Sequence, residues 1–487
     1  MQINLISKMY LLLFIAVLPF QFNCSKKSSG VGSVITDPIL PPTSASNDID
    51  YWLTKSDQSI LLARQNTTLS FGTAANTLVN AEVDSTQTFQ SIDGFGYTLT
   101  GGSAELINNM LSTEKTNLLT DLFSSTSATS IGISYLRVSL GASDLSSSVF
   151  SYNDLPSGTT DVPLSGFSLS KDTVDLIPVL KKIIAINPNI KILASPWSPP
   201  LWMKDNNNSI GGNLQTQYYN VYAKYFVKYI QAMKAQGITI DAVTIQNEPQ
   251  YGGNNPSMLM SATQEGDFIK NNLGPALVAA GLSTKIIIWD HNCDNPTYPI
   301  TILNDAGAKQ FINGSAFHLY GGSVTALSTV HNAHPDKDIY FTEQWTGANA
   351  SFDGDFKWNV KNVVLGSILN WSKVALQWNL ASNPGYGPHT AGGCTECKGA
   401  ITISGSSVTK NVGYYIIAQV SKFVPAGSVR IACTGLSLTS AAFKTPAGKK
   451  VLVVLNDNNA EQSFNIKYKG KWAVATLPAN AAGTYIW

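Results

Sequence analysis

The sequence predicts an α/β chain: a (β/α)8 TIM barrel with an additional antiparallel β-sandwich domain. Two observations carry that expectation. Eight short, apolar, β-rich runs recur through the middle of the chain, each followed by a helical or loop-rich stretch. Near-continuous apolar strands alternating with helices signal a parallel sheet buried on both faces. After about residue 430 the pattern changes to period-two alternation with no helix between runs, which signals an antiparallel sheet. The eight runs fall at 89–95, 133–140, 190–195, 242–246, 285–290, 316–320, 339–342 and 374–379. Between them, helical patterns occupy 104–123, opening after Gly101-Gly102-Ser103, then 176–184, and 218–236. The last of these sets Tyr222, Phe226, Tyr229, Ile230 and Met233 on one stripe. Eight units favour a closed barrel. A doubly wound dinucleotide fold would need a GxGxxG turn between strand and helix, and none occurs. The later runs lie at 451–455, 463–468, 472–475 and 483–487, broken by Asp-Asn, Lys-Gly and Pro-Ala turns. Segment 51–84 is also β-like and is expected to cross over and join them. The expected division is therefore a barrel over 85–410 and a discontinuous sandwich from 51–84 plus 411–487.

Composition narrows the partners. The 487 residues carry 32 Lys+Arg against 31 Asp+Glu, a net charge of +1, which offers no basic field to a nucleic acid backbone. Charged residues are only 13% of the chain, below the roughly 25% of average domains. At the N-terminus, Lys8 precedes an apolar run over 9–20, too short to span a bilayer and suited to a secretory signal. Cys24 follows, then Ser25-Lys26-Lys27 and a Ser/Gly/Pro-rich stretch. This resembles a bacterial lipoprotein signal, although Gln21-Phe22-Asn23 departs from the usual small residues before the acylated cysteine. The expectation is a signal over 1–24, lipidation at Cys24 and a flexible linker over 25–50, with plain secretion as the alternative. The protein would then be exported, to the periplasm or cell surface, as a monomer held to the outer membrane only by a lipid anchor. Of the other cysteines, Cys293, Cys394, Cys397 and Cys433, the Cys394-Thr-Glu-Cys397 spacing reads as a local disulfide or two free thiols. One CxxC without a second pair or a nearby His is a weak metal signal.

In a barrel of this kind the chemistry sits at the C-terminal ends of the strands. The fourth run ends in Gln246-Asn247-Glu248-Pro249 and the seventh in Thr342-Glu343-Gln344-Trp345. Each places a carboxylate at the mouth directly after a buried strand. Two carboxylates across a pocket are what cleavage of a glycosidic bond requires: one protonated to release the leaving oxygen, one ionised to attack or to activate water. Asn247 suits a hydrogen bond to the sugar 2-hydroxyl, and Pro249 biases Glu248 away from helix. No GxSxG elbow and no HxxxH or other clear metal spacing of histidines appears, so neither a Ser-His-Asp triad nor a metal or cofactor is expected.

Ser195-Pro-Trp-Ser-Pro-Pro-Leu-Trp-Met-Lys204, Gln246-Asn-Glu-Pro249, Gly94-Phe-Gly96, Tyr135-Leu-Arg-Val138 and Ser421-Lys-Phe-Val424 together resemble glycoside hydrolase family 30. The resemblance covers the chain from about residue 84 onward. It implies a retaining β-glycosidase with Glu248 as acid/base and Glu343 as nucleophile. It also implies that Arg137, Asp144, Trp197, Asn247, His318, Tyr320 and Trp378 line the sugar subsite. The side chains suit those positions physically. Arg137 can keep Glu343 ionised, Asp144 can accept sugar hydroxyls, and Trp197 and Trp378 can face the ring. His318 and Tyr320, two apart on one strand, share a face. Trp345 is a further candidate for substrate binding, and His291 is placed near the mouth without a role. Among the family's activities, the Phe341-Thr-Glu-Gln-Trp345 run looks most like the β-1,6-glucanase branch, so an endo-acting β-1,6-glucan hydrolase is expected. The alternatives are glucosylceramide or another β-glucoside as substrate, and more remotely a carbohydrate-binding lipoprotein without catalysis.

Overall fold

The computed structural model describes residues 47–487, so the expected signal, the lipidation of Cys24 and most of the linker lie outside the described residues. Eight strands close into a parallel barrel in chain order: Gly94–Leu99 (β1), Tyr135–Ser139 (β2), Lys191–Ser195 (β3), Ala242–Thr244 (β4), Lys285–Cys293 (β5), Ile312–Gly322 (β6), Asp338–Glu343 (β7) and Ser372–Gln377 (β8). Closure comes from β8 pairing with β1, with Val374 opposite Gly94 and Gln377 opposite Tyr97. Gly96 is needed where β1 meets β2: a Cβ there would fall 1.9 Å from the Tyr135 carbonyl oxygen.

Inside the barrel, side chains stack in layers. The lower layer is apolar, made by Tyr135, Leu193, Ala242, Ile287, Ala316, Tyr340, Val374 and Leu376. Moving two residues along β2, β3, β4, β6 and β7 reaches the same face one level nearer the mouth. There the residues are Arg137, Ser195, Thr244, His318 and Thr342, all fully buried. An apolar plug thus carries a polar layer, and the site is built on top of it.

Strand β5 breaks this count. Its pairing register with β6 shifts between Trp289 and His291, and both Trp289 and Asp290 adopt positive φ. Such a bulge re-aims side chains. Trp289 turns outward against Tyr298, and Asp290 takes the inner position.

Four boundaries differ from the sequence reading. The first barrel strand is Gly94–Leu99 rather than 89–95, because Phe89, Gln90 and Ser91 end a long strand, Asn80–Ser91, that pairs with Val429–Thr434 in the other sheet. The helix expected over 104–123 is two, Gly101–Asn108 and Ser112–Phe123, interrupted where exposed Leu111 turns extended and bonds Ser406. The barrel does not end at 410: helix Val412–Ser421 buries Val412, Tyr414, Ile416, Ile417 and Val420 in the barrel core. The chain is also already in a strand at Asp50, where the linker was expected to end.

The second core lies in a nine-stranded sheet that folds over itself, so that Phe464 meets Tyr485 edge-on although their strands are not neighbours. Strand Asp50–Lys55 pairs antiparallel with Ala481–Ile486, joining the N-terminal segment to the last strand. Helix Val412–Ser421 fastens this sheet to the barrel through one buried side chain. Gln419 accepts from the Thr54 hydroxyl at 2.8 Å and donates to Thr484 Oγ1 at 2.8 Å and to the Ala482 carbonyl at 3.3 Å. Gln419→Ala removes the amide that links Thr54, Thr484 and Ala482, although Thr484 keeps its bond to the residue 419 carbonyl, so unfolding free energy should fall by about 1–2 kcal/mol. The check is a lowered denaturant midpoint, and an unmoved midpoint would show that the two cores are not locked here.

Candidate active site

Asp290 is the centre from which the site is built. Its carboxylate is wholly buried and gathers donors from other strands. Arg137 Nη2 lies 2.8 Å away, Ser195 Oγ and Thr244 Oγ1 each 2.9 Å, and Thr342 Oγ1 2.7 Å. His318 Nε2 is 3.1 Å from Oδ1. Burial alone would raise this carboxyl, but the guanidinium and the surrounding donors hold it far below the usual aspartate range.

Asp290 fixes two side chains, and each of them serves one glutamate. Arg137, held by Asp290 and by Ser195 Oγ at 3.1 Å, extends Nη1 to Glu343 Oε2 at 2.5 Å. Its Nη2 also donates to Asn247 Oδ1 at 2.6 Å. Tyr320 donates its hydroxyl to Glu343 Oε1 at 3.0 Å. His318, anchored through Nε2, turns Nδ1 to Glu248 Oε1 at 3.1 Å, and the same nitrogen is 3.9 Å from Glu343 Oε1. One imidazole nitrogen is therefore within reach of both carboxylates. That placement fits the close pair of a retaining glycosidase, about 5–5.5 Å between carboxyl groups, better than an inverting pair about 6.5–9.5 Å apart with a water between them.

Glu248 is held in unusual backbone. Its φ is 48°, the left-handed region, rather than the extended conformation that Pro249 favours. Its amide donates to the Asp290 carbonyl at 3.0 Å, so the bulge in β5 and the turn after β4 hold each other. Strain of about 1–3 kcal/mol at such a residue persists only when its surroundings impose it.

The electrostatics separate the two acids. Burial pushes Glu343 up, and the positive charges of His318 and Arg137 oppose that rise, with the Arg137 guanidinium and the Tyr320 phenol donating to its two oxygens. Burial would raise Glu248 too, yet the two imidazoles facing it, His291 and His318, outweigh this and hold it down to about 2. Burial disfavours a charged imidazole at His318, but the carboxylates of Glu343, Asp290 and Glu248 outweigh it and push this group up to about 9. Both shifts favour a proton on the imidazole over one on Glu248.

Above these groups opens a cleft of about 500 Å³. Trp197 and Trp378 form one wall, their rings 5.4 Å apart, with the Arg137 guanidinium 4.8 Å from the Trp197 ring. Trp345 and the Cys394–Cys397 disulfide pack against that wall. Asp144 also lines the cleft, its carboxyl pushed up to about 7 by burial and by Glu343.

All the residues expected from the sequence meet here, but at two depths. Glu248, Glu343, Asp144, Trp197, Tyr320, Trp345 and Trp378 line the cleft. Arg137 and His318 have no exposed surface and Asn247 almost none. Arg137 and His318 therefore act on the carboxylates rather than touch the sugar. Trp202, within the run 195–204, donates to the Asn153 carbonyl and side chain and packs a loop. The sequence reading missed Asp290: it ends the fifth apolar run as the glutamates end theirs, but strict alternation turns it outward, and only the bulge in β5 brings it into the barrel. That reading also gave His291 no role, yet Nδ1 of that residue is 3.6 Å from Glu248 Oε1.

Residues 92–424 match the family model for the glycosyl hydrolase family 30 TIM-barrel domain, and residues 427–485 match that family's β-sandwich domain. The chain belongs to glycoside hydrolase family 30. It is 38% identical over 401 residues to an endo-1,6-β-D-glucanase of Neurospora crassa, covering 78% of this chain and 82% of the relative. It is 28% identical over 431 residues to the lysosomal acid glucosylceramidase of Mus musculus, covering 82% and 81%. A solved endo-β-1,6-glucanase superposes with a TM-score of 0.84 at 35% identity, over 91% of this chain and 99% of that one. The family boundary near 424 agrees with the helix Val412–Ser421 being part of the barrel.

The raised His318 makes stability depend on pH. Its contribution is complete below the unfolded value of about 6.5 and is lost as pH rises through about 9. Unfolding free energy measured in urea from about pH 6 to about pH 10 should decline by roughly 3 kcal/mol more in the native chain than in His318→Gln. Parallel profiles would refute a charged imidazole at this position.

Proposed function

We propose that this glycoside hydrolase cleaves β-1,6-glucan internally, with retention, through a covalent glycosyl-enzyme on Glu343. The observation that carries the mechanism is the shared imidazole: Glu248 and Glu343 converge on His318 Nδ1 within one cleft.

The resting site holds its proton on His318 because three carboxylates surround that ring, Glu343 foremost among them. As the Glu343 carboxylate attacks the anomeric carbon, its charge is consumed in the new bond. His318 then loses its main source of basicity. The proton crosses the 3.1 Å to Glu248 and passes to the departing glycosidic oxygen. Glu248 is left as a carboxylate beside a neutral imidazole, the state a general base requires. It takes a proton from water, the hydroxide attacks the anomeric carbon, and the sugar leaves with its β configuration. Glu343 is restored as a carboxylate, and its charge draws the proton back to His318. Arg137 and Tyr320 hold Glu343 in line throughout, while the tryptophan wall faces the apolar side of the ring.

Support for the linkage comes from likeness: this chain is nearer in sequence to the endo-1,6-β-D-glucanase of Neurospora crassa than to the mouse glucosylceramidase. A panel of β-1,6-, β-1,3- and β-1,4-glucans with glucosylceramide tests it. Oligosaccharides should appear from the β-1,6 polymer alone, and cleavage of the lipid alone would reassign the substrate. Glu248→Gln should lower kcat by roughly 10²–10⁴-fold on glucan, much less on an aryl glycoside whose leaving group needs no proton. Glu343→Gln should be inactive on both. Equal losses on both substrates in Glu248→Gln would remove it from the acid/base role.

Export with a lipid tether at Cys24 belongs to the same proposal and is supported by the charge, apolar run and cysteine at the N-terminus. Cys24→Ser should move the protein from the membrane to the soluble fraction of a host that acylates such signals. An unchanged distribution would leave simple secretion.

A further inference from the structure

The acid/base carboxylate has a second imidazole beside it, His291, that hydrolysis does not use. Glu248, His291 and His318 each present one ligand-type atom, and these atoms lie within 4.8 Å of one another. They come from the turn after β4, the bulge of β5 and strand β6, so no spacing in the sequence announces them. His318 Nδ1 is 3.1 Å and His291 Nδ1 3.6 Å from the same Glu248 oxygen. At 3.6 Å the His291 contact is too long for a hydrogen bond, and this nitrogen, on a side chain 9% exposed, has no hydrogen-bond partner. A buried, unpartnered imidazole nitrogen aimed at a carboxylate and a second imidazole is a donor awaiting a cation.

We infer that Glu248, His291 and His318 form an inhibitory site for a divalent transition cation, with Zn²⁺ as the best fit. Zinc binds nitrogen and oxygen at about 2.0–2.2 Å, which in a tetrahedron separates ligand atoms by about 3.3 Å. The two contacts to Glu248 bracket that spacing, and the remaining edge, between the two imidazoles, is at most 4.8 Å. Two imidazoles and one carboxylate select zinc, copper or nickel over magnesium or calcium, which demand more oxygens. The outer shell is also in place. His318 Nε2 meets Asp290 Oδ1 at 3.1 Å, the carboxylate–histidine arrangement that orients metal-bound imidazoles. Glu248, Glu343 and Asp290 outnumber Arg137 and the protonated His318 in charge, so a cation is favoured, and its binding releases the proton from His318 Nδ1 to solvent. The fourth position opens on the cleft, where Glu343 Oε1 or water completes the shell. A cation bound there takes the lone pairs of Glu248 and blocks its proton transfer, so binding shuts off hydrolysis reversibly.

The inhibitory half rests on Glu248 being the acid/base; the binding half does not. Full-length protein stripped with a chelator is titrated with zinc sulfate by calorimetry, with magnesium sulfate as control, and β-1,6-glucan hydrolysis is followed at the same zinc concentrations. The native chain should bind one Zn²⁺ and no Mg²⁺, with hydrolysis falling along the binding curve and recovering on chelation. His291→Phe and His291→Gln, both checked by thermal melting, should each weaken zinc binding by at least about tenfold. A zinc-edge anomalous peak between the three side chains would place the ion. No binding by the native chain, or equal binding by it and both variants, overturns the site. Zinc held by these ligands with undiminished hydrolysis keeps the site and instead overturns the role of Glu248.

Discussion

A carboxylate and a guanidinium, both wholly buried, organise this molecule. The pair Asp290–Arg137 is dry, and removing two charges from water costs several kcal/mol per ion. It is tolerated because neither charge is left with one partner. Asp290 collects Arg137, Ser195, Thr244, Thr342 and His318, while Arg137 reaches Ser195, Asn247 and Glu343 as well. The network rests on a closed apolar layer of Tyr135, Leu193, Ala242, Ile287, Ala316, Tyr340, Val374 and Leu376. Without that plug, water would enter from below and compete for every donor. The order of construction is thus apolar floor, buried ion pair, then catalytic carboxylates.

The same network gives two chemically identical residues different characters. Asp290 lends Glu343 a permanent cation, since Arg137 does not deprotonate. It lends Glu248 a titratable one, His318. A fixed charge suits a group that must stay ionised until it bonds carbon. A movable proton suits a group that must be acid in one step and base in the next. The difference comes from which residue stands between Asp290 and each glutamate, and not from burial, because both glutamates are buried.

How much of this could be read from the sequence follows from where the chain is regular. The barrel was legible because seven of its strands overlap the apolar runs expected for them, and Glu248 and Glu343 were legible because they follow or end such runs. His318 and Tyr320 obeyed strict alternation on β6. Asp290 and His291 did not: alternation from Ile287 points to Trp289 as the inward residue, and only the bulge hands that place to Asp290. A bulge is a backbone feature set by strand pairing across the barrel, and a single sequence carries no mark of it. The first strand was misplaced for a related reason. Asn80–Ser91 and Gly94–Leu99 are both extended, and only their partners, Val429–Thr434 in one case and Ser372–Gln377 in the other, separate sheet from barrel.

The helix Val412–Ser421 shows why a boundary drawn from composition failed. Its residues are apolar nearly all round, with Val412, Tyr414, Ile416, Ile417, Ala418 and Val420 in the barrel core. A helix with no polar face needs cover on every side. The barrel supplies one side and the strand Ala481–Ile486 another, where Gln419 satisfies its polar atoms through Thr54, Ala482 and Thr484. The β-sheet is therefore part of what keeps the barrel's last helix dry. That helix in turn backs β1, where the Tyr97 hydroxyl donates to the Gly413 carbonyl at 2.8 Å, and β1 lies between the strands that carry Arg137 and lead into Trp378. The appended sheet thus supports the geometry of the cleft from outside the barrel, by excluding water from the helix that the barrel cannot cover alone.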